Sequence, residues 1–161
     1  MPGAAGPIAL LLASLLATPA VAADPVIIGI GYLALAPKRV GSQVLLDPPL
    51  TDEGVQGARL ALADDQTTGR FLNQSYVLHE SVQPDADAVL AAARAMLAAG
   101  ERIIVTDLPA PLLLRVADLP EARDATLLDA TSEDDSLRGA GCRARVLHLL
   151  PSRAKPRPSC P

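Results

Sequence analysis

The chain has 161 residues, half of them hydrophobic and only 2% aromatic, and its formal net charge is −4. This length suits one ordinary domain or part of a larger protein, and the apolar content excludes a disordered chain. Two cysteines are too few for a small domain held together mainly by disulfides. The acidic balance argues against a general nucleic-acid-binding protein, which would carry a basic surface. We therefore predict no nucleic-acid partner.

Residues 1–23 have the features of a signal peptide for export. They contain no charged side chain, and residues 8–17 form an apolar run of the length that such signals use. Pro19 ends the run, and the small residues Ala20 and Ala22 provide a cleavage pattern. A membrane-spanning helix needs about 20 apolar residues, so cleavage is favoured over retention as an anchor. The sequence therefore predicts an exported, periplasmic protein.

The two cysteines become relevant once export is predicted, because an oxidising compartment permits disulfides. Cys142 follows a glycine-rich segment, and Cys160 is the residue before the last. A bridge between them would join a loop to a tail without predicted structure, and it would stabilise little of the core. We therefore expect an unpaired thiol at Cys142, with the disulfide as the alternative.

The body of the chain alternates predicted strands and helices. A near-continuous apolar run over residues 26–33 is typical of a strand buried on both faces of a parallel sheet. Apolar periodicity and the positions of capping residues, Gly and Pro then predict helices over 52–66, 85–99 and 111–118 and strands over 75–81, 102–106 and 125–130. This βαβαβαβ order predicts an α/β fold, a three-layer structure with a parallel sheet between helices. Gly54 and Gly57 lower the helix propensity of the first helix, so we expect both to pack closely against the sheet.

Ligands of such sheets bind beyond the carboxyl ends of the strands. Tyr32, Asp107 and Thr131 each lie close to such an end, so we predict that they bind a ligand. The sequence contains no G-x-S-x-G, and its two histidines lack the spacing of metal ligands. The G-x-G-x-x-A match at residues 29–34 is not followed at once by a helix, as dinucleotide binding requires. We therefore predict no enzyme activity, no catalytic residue, no metal and no cofactor.

The charge changes sign along the chain. Residues 136–161 contain six basic side chains and no acidic one, and they include several prolines. Because no predicted helix or aromatic surface arranges these charges, an irregular, solvated tail is favoured over a site for an anionic partner. We therefore predict one lobe over residues 24–135 and an irregular basic tail after it.

The helix after the first loop and the residues before it carry a series of short motifs. In order, they are Pro49-Leu50-Thr51, Gly54, Gly57-Ala58 and Leu62-Ala63-Asp64-Asp65. After an export signal and an apolar strand, this order resembles type I periplasmic solute-binding proteins of ABC importers, of the Leu/Ile/Val-binding kind, over about residues 26–150. The resemblance implies that this chain forms the first lobe of that fold. Proteins of the family capture a small-molecule solute by closing two lobes around it, and they then dock on a membrane ABC permease. The long loop over residues 33–48 resembles the subgroup associated with PQQ-dependent alcohol oxidation.

Two departures from the family pattern change the expected ligand and length. Where the family has a glycine and a serine that hold an amino acid's carboxylate, this chain has Asp107, Pro109 and Pro111. Asp107 would repel a carboxylate and the prolines remove two amide donors, so a branched-chain amino acid is not the expected ligand. Three prolines in the last six residues stand where the family would continue into its second lobe. The chain is therefore interpreted as truncated, out of frame from about residue 155 and unable to bind solute by itself.

Two other classes of protein stay open at this stage. The chain is alternatively a fragment of a secreted α/β enzyme, which would need a nucleophile or a cofactor loop at a strand end. The second alternative is a ligand-sensing receptor domain, because the same fold occurs in ligand-gated regulators.

Overall fold

The computed structural model describes residues 24–37 and 50–153. The signal peptide predicted for residues 1–23, most of the first loop and the segment predicted to be out of frame lie outside the described residues. In chain order the elements are β1 (Val26–Leu35), α1 (Glu53–Phe71), β2 (Gln74–Gln83), α2 (Ala86–Ala98), β3 (Ile103–Asp107), α3 (Ala110–Ala117), a 3-10 helix (Pro120–Asp124), β4 (Thr126–Asp129), a second 3-10 helix (Asp135–Arg138) and β5 (Val146–His148).

The five strands form one parallel sheet in the order β2-β1-β3-β4-β5. Side chains alternate between the two faces of a strand, so Leu33 and Tyr32 of β1 enter different cores. Leu33 belongs to the larger core, which α2 and α3 close from one side with Val89 and Leu113. Tyr32 belongs to a smaller core on the opposite face, where it packs with Val55 of α1. The predicted three-layer α/β fold with a parallel sheet is confirmed.

The sheet has one strand more than the sequence predicts. β5 pairs with β4, with Leu128 opposite Leu147, and Leu137 of the second 3-10 helix is buried in the larger core. The structure thus differs from the predicted irregular tail over residues 136–148, which contain a short helix and a strand. A strand of three residues gives no periodicity signal, because alternation is recognised only over about four residues or more.

Cys142 lies in the ordered turn that precedes β5. Its backbone N–H donates to the carbonyl oxygen of Gly139 at 3.0 Å, and its side chain is disulfide-bonded. The unpaired thiol expected at Cys142 is therefore wrong, and the disulfide given as the alternative is the observed state. Cys160, the other cysteine of the chain, lies outside the described residues.

A buried carboxylate lies beside β1 near the amino end of the sheet. Glu101 forms an ion pair with Nδ1 of His79, and a Cβ atom at Gly29 would lie 2.8 Å from its Oε2 atom. The glycine therefore makes room for the carboxyl group of Glu101. This packing gives Gly29 a structural reason within the lobe.

Candidate functional site

A groove with a volume of about 400 Å³ lies between α1 and the sheet. Its walls are mainly apolar side chains from four strands and α1, among them Ile30, Leu78, Val105, Leu128, Ala58 and Leu62. The groove exists because α1 packs on β2 and β1 and leaves the neighbouring strands on that face less covered. Ile103 at the start of β3 is still 37% exposed. The groove is therefore an apolar slot along the sheet, open to solvent.

The three predicted ligand-binding residues line this one groove. Tyr32 comes from β1, Asp107 is the last residue of β3, and Thr131 follows the end of β4 by two residues. The structure brings them together because parallel strands end at the same edge of the sheet. A contact between these residues and a ligand stays a prediction.

Tyr32 and Asp107 are joined directly. The hydroxyl group of Tyr32 donates a hydrogen bond to Oδ2 of Asp107, with 3.2 Å between the oxygen atoms. The pKa of Tyr32 is raised to about 12, mainly by burial and in addition by the negative charge of Asp107 and by this hydrogen bond. With this pKa the hydroxyl group of Tyr32 stays protonated near neutral pH, and it donates its proton to the carboxylate.

The first turn of α1 lies against this pair. A Cβ atom at Gly54 would lie 3.0 Å from Oδ2 of Asp107 and closer still to the hydroxyl oxygen of Tyr32. The predicted close packing is therefore confirmed at Gly54. It is wrong at Gly57, where a Cβ atom would meet nothing within 4 Å. Since the amino end of a helix carries a partial positive charge, the approach of α1 also stabilises the carboxylate of Asp107.

A second buried pair holds the loop that carries Thr131. Asp129 at the end of β4 is fully buried, and its Oδ2 atom lies 2.8 Å from Nδ1 of His148 on β5. Its Oδ1 atom accepts a hydrogen bond from the backbone N–H of Ser132 at 3.0 Å. The sequence does not identify this pair. An Asp at the end of a strand was the visible signal, but its histidine lies on the strand that was not predicted.

The charges around the groove are mostly negative. Asp65 and Asp107 line it, and none of the described lining residues is basic. Beyond the carboxyl ends of the strands lie the acidic residues Glu133 to Asp135, where the guanidinium group of Arg153 donates to Glu133 at 2.9 Å. The groove is therefore poorly suited to a carboxylate or phosphate group, which would meet like charge.

Within residues 24–37 and 50–153, no group of three or more His, Cys, Asp and Glu side chains is placed to hold a metal ion. Over the same ranges, no helix combines the length and the apolar composition needed to cross a membrane.

Two solved structures share this fold. The leucine-, isoleucine-, valine-, threonine- and alanine-binding protein from Brucella ovis, in a closed conformation, matches with a TM-score of 0.57 at 18% identity, over 81% of this chain and 33% of that one. An ABC transporter substrate-binding protein from Desulfitobacterium hafniense matches with a TM-score of 0.52 at 17% identity, over 80% of this chain and 35% of that one. The chain thus spans about a third of the length of either protein. No protein-family model and no curated protein matches the sequence.

Proposed function

We propose that this chain is the first lobe of an exported solute-binding protein that delivers a small molecule to a membrane ABC permease. The observation that carries the proposal is the groove, which collects Tyr32, Asp107 and Thr131 at the carboxyl ends of the strands. Its lobe has the fold of two proteins named as amino-acid-binding and as ABC substrate-binding. Neither of these neighbours is named as an enzyme, which supports binding without bond chemistry.

Capture of the solute would need a second lobe. The chain matches about a third of each structural neighbour, so most of such a protein lies outside the matched lobe. In the proposed mechanism the second lobe closes over the groove by a hinge motion and excludes water from the solute. A single lobe makes half of these contacts, and we therefore expect this chain alone to bind its solute weakly.

Export is part of the proposal. It is supported by the signal-peptide pattern of residues 1–23 and by the disulfide at Cys142, because disulfides persist mainly in oxidising compartments. N-terminal sequencing of the protein from a periplasmic fraction should give a mature chain that begins near Asp24. An intact amino terminus in the cytosol would contradict export.

Solute binding is tested by a screen of the full chain against a library of small solutes, followed by amide shifts in two-dimensional NMR spectra. We expect hits to shift the amides of Asp107 and Thr131 and those of the first turn of α1. The solutes are added at concentrations high enough to detect the weak binding expected of a single lobe. A library in which no compound then shifts these amides of the folded protein would refute the proposed function. The predicted likeness to proteins of PQQ-dependent alcohol oxidation stays a prediction, since neither structural neighbour is named for that system.

A further inference from the structure

We propose that the groove takes a small organic cation, in which an ammonium group is attached to a hydrocarbon body without a carboxylate. This ligand class rests on the proposed function and makes it more specific. The groove supplies one charged anchor at its mouth, apolar walls behind the anchor and no described basic side chain.

The anchor is the carboxylate of Asp107. It accepts the hydrogen bond of Tyr32, and the tyrosine stays neutral, so the pair as a whole carries one negative charge. An ammonium N–H would donate a charge-assisted hydrogen bond to this carboxylate, which is about twice as strong as a hydrogen bond between neutral groups. A ligand carboxylate would instead face the charge of Asp107 without a cation to compensate for it.

The amino end of α1 does not reverse this preference. A helix end contributes a partial charge of about +0.5, whereas the first turn of α1 and its cap add the carboxylates of Glu53 and Asp52. Asp65 adds a further carboxylate along the same groove, eleven residues after Gly54 on α1. The local field is therefore negative from the mouth to the far end of the groove, and it would attract cations.

The size and the apolar walls of the groove determine which hydrocarbon body the ligand can have. The volume of about 400 Å³ falls within the range of roughly 300–1,000 Å³ that is typical of small-molecule sites. The walls behind Asp107 are aliphatic, with Ala58 and Leu62 on α1 facing Val105 and Leu128 on the sheet. A hydrated inorganic cation would gain nothing from these walls, whereas a hydrocarbon chain would be removed from water.

The test is an NMR titration of the full chain with three six-carbon probes at equal ionic strength: n-hexylammonium chloride, 1-hexanol and sodium hexanoate. We expect hexylammonium to shift the amides of Gly54, Asp107 and Thr131 with a Kd roughly tenfold below that of hexanoate, the ratio that corresponds to about 1.4 kcal/mol. Added salt should reduce this preference, because it screens charges at a partly exposed site.

Asp107→Asn should remove the preference of the groove for hexylammonium over hexanol. Asp64→Asn is the control, since it removes one carboxylate from α1 without changing a residue that lines the groove. The Asp64→Asn variant should keep the preference of the groove for hexylammonium over hexanol. Should Asp107→Asn fail to fold, the salt dependence of hexylammonium binding by the unaltered protein decides the same question.

Failure of the ligand class differs from failure of the function. Stronger groove shifts with hexanoate or hexanol than with hexylammonium would overturn the cation and leave solute binding intact. Groove amides that respond to none of the three probes would also overturn it. Only a negative library screen in addition would count against the proposed function.

Discussion

Substitution of Gly54 by alanine measures how tightly α1 packs on the Tyr32–Asp107 pair. The new Cβ atom would lie 3.0 Å from Oδ2 of Asp107 and closer still to the hydroxyl oxygen of Tyr32. Tyr32 is 3% exposed and packs with Ala34 and Val55, so its ring cannot turn away freely. Either the hydrogen bond breaks or the first turn of α1 lifts from the sheet.

The expected magnitude follows from three contributions. Overpacking of this kind costs about 1–3 kcal/mol, and loss of a hydrogen bond to a charged group costs roughly 1.5–3 kcal/mol when it is complete. Alanine recovers at most about 1 kcal/mol of helix propensity. Since the hydrogen bond can bend before it breaks, we expect Gly54→Ala to lower the free energy of unfolding by about 2–3 kcal/mol.

Gly57→Ala provides the matched control in the same helix. Its Cβ atom would meet nothing within 4 Å, so this variant should gain about 0.5–1 kcal/mol from helix propensity and from a less flexible unfolded chain. Urea unfolding followed by circular dichroism gives both free energies by linear extrapolation. Equal stability of the two variants would refute the close contact between α1 and the Tyr32–Asp107 pair.

Three further predictions concern single side chains. In a Tyr76→Phe background the remaining tyrosine, Tyr32, should titrate at 295 nm with a pKa of about 12, and Asp107→Asn should lower this pKa. The stability linked to Tyr32 is complete below pH 10 and is lost as the pH rises through 12. A titration of Tyr32 near pH 10 would contradict the raised pKa. Asp129→Ala should cost about 1–3 kcal/mol in urea unfolding, because the ring nitrogen Nδ1 of His148 loses its buried hydrogen-bond partner. An unchanged free energy of unfolding would contradict that contact. Asp85→Ala should cost about 1 kcal/mol, because the carboxylate caps α2 by accepting from two backbone N–H groups; an unchanged urea midpoint would contradict the cap.

Local signals in the sequence were sufficient for most elements of the sheet. The apolar run identifies β1 as a strand, and the alternation of strands with helices identifies the parallel sheet. The predicted burial of β1 on both faces holds only for residues 31–34, because Val26 and Ile27 at its start are exposed. The end of α1 was predicted too early, at residue 66, because the following Thr67, Thr68 and Gly69 have low helix propensity. The helix nevertheless continues to Phe71. Gly69 is buried against the ring of Tyr76, and this packing outweighs the local preference.

The candidate site was also predictable only in part. The positions of Tyr32, Asp107 and Thr131 at one edge were predictable, because all strands of a parallel sheet end on the same side. Their contacts were not, because Tyr32 and Asp107 are 75 residues apart and no local pattern links them. Gly54 and Gly57 look alike in the sequence, yet only Gly54 lies over the Tyr32–Asp107 pair.

The amino-acid sequence by itself determined the fold class and the order of the first four strands and the helices between them, and it predicts the edge of the sheet at which a ligand would bind. These properties follow from the spacing of apolar, turn and capping residues, which are local. Only the tertiary structure decided that Asp129 pairs with His148, that Cys142 belongs to the folded lobe and that α1 leaves an apolar groove beside it. Each of these features depends on which distant segments of the chain meet. The free energy of such contacts cannot be read from the order of neighbouring residues.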